Sequence, residues 1–275
     1  MITKNNSFTI ILVAIILGAT SLLAEDAPPK PVFDTAKIEE LTGLKGSLNK
    51  EEGSFKVSSP RTDVKVVIDQ WQAPPFMGLT TWAAFQPGMQ AGFMVMGDLV
   101  LFEDEVNPVL GTLLNSGLLV TALHNHFFYD RPKVYFMHIG GEGSLELLAT
   151  GVRKALDKVK EIRSKDATLA KAFSSGPLPT PSNITGTAIE KIMGTKGQSQ
   201  DGMFKVVIGR EVTMACGCAV GKDMGINTWA AFAGTDNEAV VDGDFAILET
   251  ELQPVLKSLN KSKGLCEKSQ SISKI

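Results

Sequence analysis

Apolar and polar positions alternate along several short runs of the chain and recur at helical spacing in others. Residues 54–57, 63–71, 80–86 and 93–102 read as strands. Pro74 and Pro75 break the pattern and mark a loop or a sheet edge. Residues 33–44 predict a short helix with Ile38 and Leu41 on one side. Asn107 has the chemistry of an N-cap and Pro108 that of a first helical position; Val109, Leu110, Leu113 and Leu114 continue that helix, and Gly117 ends it. Two β-rich runs, 118–128 and 133–139, flank Tyr129-Asp130-Arg131-Pro132 and predict a hairpin. Ser144 then caps a helix carrying Leu145, Leu148, Val152, Leu156 and Val159.

The pattern then repeats. Ile38-Glu39-Glu40-Leu41-Thr42-Gly43 is echoed by Ile189-Glu190-Lys191-Ile192-Met193-Gly194, and Thr81-Trp82-Ala83-Ala84-Phe85 by Thr228-Trp229-Ala230-Ala231-Phe232. Gly97-Asp98 returns as Gly243-Asp244, and Glu103, Glu105 and Pro108 return as Glu249, Glu251 and Pro254. A spacing of about 150 residues is too long for a solenoid and indicates a duplicated domain. The expected fold is α+β. Each repeat has a mainly antiparallel or mixed sheet with helices on one face. Its later part runs β-α-β-β-α, an order compatible with ferredoxin-like topology.

The echo stops after Ser262, where a second histidine hairpin is due, and the chain continues as KGLCEKSQSISKI. The expectation is a truncated second repeat over 186–262, followed by an aberrant polar tail over 263–275. The first repeat spans 33–173, and a Ser/Pro-rich linker over 174–185 joins the two.

Composition narrows the function classes. The 275 residues are 44% hydrophobic, enough for one large core or two smaller ones. A net charge of -3 without charged blocks argues against nucleic-acid binding. Lys4 followed by an apolar run to Ala24 reads as an export signal over 1–24, with a Pro-rich linker over 25–32. The run is marginal as a membrane span, so the expected mature protein is periplasmic or extracellular without a stable span. No cysteine near Ala24 offers a lipid attachment point. Cys216, Cys218 and Cys266 are too few for a disulfide framework. Cys216-Gly217-Cys218 can hold a metal, but reads first as two small residues on one strand face.

All three histidines of the protein, His124, His126 and His138, fall within the hairpin. Side chains alternate along a strand, so His124 and His126 share a face. Pairing Phe128 with Val134 would set His124 opposite His138 and bring three imidazoles together. Three histidines with one open position suit a divalent transition metal; zinc leads, and Cu, Ni and Fe also accept imidazole. A metal-bound water would then be a nucleophile for hydrolysis. Glu103 and Glu105, between strand and helix, are candidates for fourth ligand or general base; Asp98 is a weaker one, and Asn125 faces away. Three other readings stand beside this one: structural histidines hydrogen-bonded beside Phe127, Phe128 and Tyr135, a non-catalytic pocket for a small ligand or envelope component, or a degenerate truncated copy with little function. Trp82 and Trp229 read as core residues, the glutamates equally as helix-start carboxylates, and Gly140-Gly141-Glu142-Gly143 as a turn.

The repeated W-A-A-F segments, the G-D-x-x-x-x-E-x-E-x-x-P-V-L motif and the H-N-H-F…P…F-x-H hairpin together resemble the LppY/LpqO family of bacterial lipoproteins, a domain-of-unknown-function family. The resemblance covers about residues 34–262 and implies two homologous halves, each ending in a histidine hairpin. This chain departs from it in lacking a lipidation cysteine and the second hairpin.

Overall fold

The computed structural model describes residues 33–88, 92–166, 168–169 and 179–262. The expected export signal, its linker and the tail from 263 onward lie outside the described residues, as does 174–178 of the linker between repeats.

In chain order the first repeat comprises α1 (Thr35–Thr42), β1 (Gly46–Asn49), β2 (Ser54–Pro60), β3 (Val66–Ile68), β4 (Trp71–Ala73), β5 (Thr80–Pro87), β6 (Phe93–Phe102), α2 (Glu103–Asn115), β7 (Leu119–His124), β8 (Asp130–Arg131), β9 (Val134–Gly143) and α3 (Leu145–Lys165). The second comprises α4 (Gly186–Met193), β10 (Gly197–Gln200), β11 (Met203–Gly209), β12 (Val212–Thr213), β13 (Ala219–Val220), β14 (Asn227–Gly234), β15 (Ala239–Asp244) and α5 (Glu249–Lys261). The fold is α+β, and every strand pair named in the sheets below is antiparallel.

The first repeat builds a six-stranded sheet in the order β1-β2-β5-β6-β9-β7. β9 lies between β6 and β7, antiparallel to both. β6-α2-β7 is therefore a split β-α-β unit, as the β-α-β-β-α order predicts. Period-two alternation gives this sheet two different faces. Phe85, Val95, Leu99, Leu101, Met137 and Ile139 point to the helices and form the main core with α2 and α3. Val100, Phe102, Val134 and Phe136 point the other way, into a smaller core capped by the sheet β4-β3-β8. That cap covers only one end of the second face; beyond it, Met96 and His138 are exposed.

Several local expectations change. The run 63–71 is not one strand: β3 ends at Ile68, the chain turns at Asp69 and Gln70, and β4 starts at Trp71. Helix α2 begins at Glu103, not at Pro108. Glu105 reaches back to accept from the Phe102 N–H at 2.9 Å, which caps the helix a turn earlier. The break after Phe128 is not a tight turn, because β8 leaves the hairpin and pairs with β3. Gly140, Gly141 and Gly143 lie within β9 rather than in a turn. At Gly141 a β-carbon would sit 3.1 Å from Leu118 and 3.2 Å from Leu148, so a side chain there would press on both leucines.

The second repeat follows the same plan with a four-stranded sheet in the order β10-β11-β14-β15. Its α5 docks on the first repeat: Leu252 and Leu256 enter the main core. Gln253 of α5 also donates to the Val120 carbonyl at 2.7 Å and accepts from the Val120 N–H at 3.3 Å. Each repeat carries one arginine–glutamate clamp at its helix start. Arg61 donates to both oxygens of Glu105, at 2.8 and 2.9 Å, with side chains 7% and 0% exposed. Arg210 donates to Glu251 at 2.5 and 2.9 Å, with side chains 33% and 39% exposed.

Removing one partner of a buried ion pair costs about 3–5 kcal/mol. Arg61→Met should therefore lower the unfolding free energy in urea by about that amount, and Arg210→Met by a small fraction of it. The Arg210 hydrogen bond holds the Glu251 carboxyl down at about 2 from its ordinary 4.5. A depressed carboxyl stabilises the fold fully above its unfolded value and loses that contribution as pH falls. The stability gap between wild type and Arg210→Met should thus close between pH 4.5 and about 2. A further test concerns β7, whose register against β9 slips at Thr121: Val120 pairs with Ile139, and Ala122 with His138. Deleting Thr121 would force Val120 out of the core or His124 into it, at about 1.5–3 kcal/mol. Thr121→Ala, which keeps the backbone count, should be near neutral in the same denaturation measurement.

Candidate functional site

β6, β7 and β9 bring the candidate residues to the uncapped part of the second sheet face. On β9, His138 lies directly opposite Asp98 of β6 on one side and Ala122 of β7 on the other. His124 pairs with Phe136, two residues along from His138. The expected pairing of His124 with His138 is thus displaced by two residues. Such a shift conserves the face, because the side-chain period is two. His126 follows in the loop, its ring 4.0 Å from the Phe136 ring.

The bulge at Thr121 makes this arrangement possible. Val120 and His124 are an even number of residues apart, and on an unbroken strand both would face the helices. Val120 does so, buried at 3% exposure in the main core. The extra residue reverses the alternation, and His124 faces the other way.

The three rings come together. Ring centroids of His124 and His126 are 4.9 Å apart, and those of His124 and His138 4.8 Å. The Nε2 atoms of His124 and His126 face each other at 3.0 Å. The His138 Nε2 lies 3.8 Å from Asp98 Oδ2. Asp98 Oδ1 is buried and has no hydrogen-bond partner among the described residues. Burial raises the Asp98 carboxyl above its ordinary value against the pull of the three imidazoles. Burial and the neighbouring His138 and His126 lower His124 below its own, which favours a neutral ring with a free lone pair. Among the described residues no group of three or more His, Cys, Asp or Glu side chains is arranged so that it could hold a metal ion as it stands.

Neither glutamate candidate joins the rings. Glu105 is fully buried; Arg61 and the Phe102 N–H occupy its oxygens, and Arg163 Nε stands 3.0 Å from Oε1. Glu103 lies 3.5 Å from the hydroxyl of Tyr135, a residue whose alternation places it on the helix side of β9. Asn125 donates to the Val134 carbonyl at 2.6 Å.

The residue underrated from sequence is Asp98. Its closeness to the histidines depends on the β6–β9 pairing, which no local pattern shows; the echo of Gly97-Asp98 in Gly243-Asp244 was its only trace. Trp82 and Trp229 are also placed differently. Both are half-buried on the face away from the helices, each with a lysine amine over its ring, Lys56 at 4.3 Å and Lys205 at 4.1 Å. Trp82 pairs directly with Asp98, so it borders the histidine group.

No helix among the described residues is long and apolar enough to cross a membrane. No curated protein and no solved structure matches the chain. A family model described as Domain of Unknown Function (DUF1259) matches it twice, over residues 36–158 and 187–265. The two matched segments coincide with the two halves of the internal duplication, and by that coverage the chain belongs to the DUF1259 family.

Proposed function

We propose that this protein binds a divalent transition metal through His124, His126 and His138, with Asp98 as a fourth ligand or an anionic partner to the His138 ring. The observation that carries this reading is the convergence of three imidazoles, His124 and His138 on one sheet face and His126 in the loop that follows β7. Imidazoles sharing a tetrahedral ion at about 2.0–2.1 Å have ligating nitrogens about 3.3 Å apart. The facing His124 and His126 nitrogens, at 3.0 Å, already approach that spacing. Binding would require the His138 ring to turn from Asp98 toward them. The unsatisfied Asp98 Oδ1 supplies negative charge that a cation would neutralise. Zinc fits a three-histidine set with one open position best; copper, nickel and iron share its ligand preferences.

The reading is of binding first and hydrolysis second. An ion held here would lower the pKa of a bound water. Glu103 and Glu105 are engaged elsewhere, so Asp98 is the carboxylate placed to accept a proton from that water. The resemblance to LppY/LpqO proteins and the apolar run up to Ala24 support placing the protein in the cell envelope after export. A neutral ligand-binding module on the same face is the competing reading, favoured by Trp82 beside Asp98.

Isothermal titration of the purified chain with Zn2+ should show one tight site. His138→Ala and His124→Ala should each weaken it at least tenfold, about 1.4 kcal/mol, while Glu103→Gln leaves it unchanged. Wild-type affinity in both alanine variants, with the fold intact by circular dichroism, would exclude the site.

A further inference from the structure

Beyond the histidine face, one group of ligating atoms remains unexplained. In the second repeat β12 and β13 form a two-stranded hairpin, with Val212 opposite Val220 and Thr213 opposite Ala219. The next pair outward is Met214 and Cys218, joined by the Met214 N–H donating to the Cys218 carbonyl at 2.9 Å. The Gly217 N–H donates to the Met214 carbonyl at 2.8 Å, and Gly217 takes a φ of 81° that closes the turn. Opposed residues of an antiparallel pair project to the same side with β-carbons about 4.5–5.5 Å apart. Met214 and Cys218 are therefore side by side. Cys216 stands at the tip of the same turn, two residues before Cys218.

This placement corrects the expectation of small residues on a strand face. Both cysteines are free thiols, exposed on a turn, and Met214 is 41% exposed. They fill no core. Nor are they inherited from the shared plan of the repeats. The counterpart hairpin of the first repeat, β3–β4, turns through Asp69 and Gln70 and carries no sulfur. That hairpin is also flanked by β8, whereas β12–β13 stands as a two-stranded sheet among the described residues.

We propose that the Met214–Cys216–Cys218 turn binds a soft monovalent metal ion of the Cu(I) class, with the two cysteine thiolates as primary ligands and the Met214 thioether as a third. Soft sulfur donors select Cu(I) over harder ions. Cu(I) is satisfied by two or three donors, so a short turn suffices where a tetrahedral ion would need more of the protein. On binding, each thiol releases its proton to solvent and forms one Cu–S bond; the metal keeps its oxidation state, and no oxidant is needed. The imidazole group lies in the other repeat, so the two sites share no ligand.

The test uses the full chain, reduced with a phosphine and kept anaerobic, titrated with Cu(I) against a chromogenic Cu(I) chelator. The wild type should withdraw one Cu(I) per chain and develop an ultraviolet thiolate-to-copper charge-transfer band. Cys216→Ser with Cys218→Ser should abolish both, and Met214→Leu should weaken binding about tenfold. Cys266→Ser, which changes a residue outside the described part, should retain the band, as should the triple variant His124→Ala, His126→Ala, His138→Ala. Circular dichroism checks that each variant is folded. The proposal is overturned if the chelator keeps the copper, if the double serine variant binds like wild type, or if Cys266→Ser removes the band. Unchanged affinity in Met214→Leu overturns the assignment of the third donor.

Discussion

Strand parity governs this molecule. The ten-residue ladder between β6 and β9 sorts side chains alternately to the helices and to the opposite face. One side of it is a continuous hydrocarbon core; the other begins as a small core at Phe102 and ends, a few residues later, in a polar patch at Asp98 and His138. No substitution along this ladder can move a residue between the two environments without shifting its neighbours. Among the described strand pairs, the bulge at Thr121 is where the rule is reset. It lets β7 bury Val120 against the helices and still present His124 on the far side.

The two halves show what duplication preserves. The arginine–glutamate clamp recurs because it does a job common to both: it closes a helix start by accepting the preceding N–H, and it ties that helix to an arginine just after the second strand of its sheet. In the first repeat α3 adds Arg163 and the clamp is sealed from water. In the second it stays partly open. Asp98 and Asp244 also recur, each with a buried Oδ1 lacking a hydrogen-bond partner among the described residues. Only Asp98 has histidines beside it. The polar patch of the first half is thus an elaboration on a common frame, as the sulfur turn is in the second.

Much of this was legible in the chain itself. Strand β6 and the long helix α3 follow from alternation and from the Ser144 cap, because in both the local preference and the tertiary demand agree. The duplication is visible as direct echo. The shared face of the histidines was also legible, although the register was displaced by two. Loop composition could not reveal that β8 would desert the hairpin for β3. What stayed hidden depends on contacts distant in sequence. The start of α2 was misplaced because Asn107 and Pro108 look like a cap, whereas the actual cap is a carboxylate held by Arg61, 44 positions away. The cysteines looked like strand residues because the chain around them is β-rich; only the three-residue turn shows them to be at a tip.

β7 is the outermost strand of the six, and an outermost strand invites pairing with a foreign backbone. The Gln253 amide answers both free main-chain groups of Val120 at once, donor for acceptor and acceptor for donor. At that position the second repeat does with one side chain what a seventh strand would do. The border of the histidine-bearing strand is thereby closed against accidental strand addition, and the residue that closes it was contributed by the other copy of the ancestral domain.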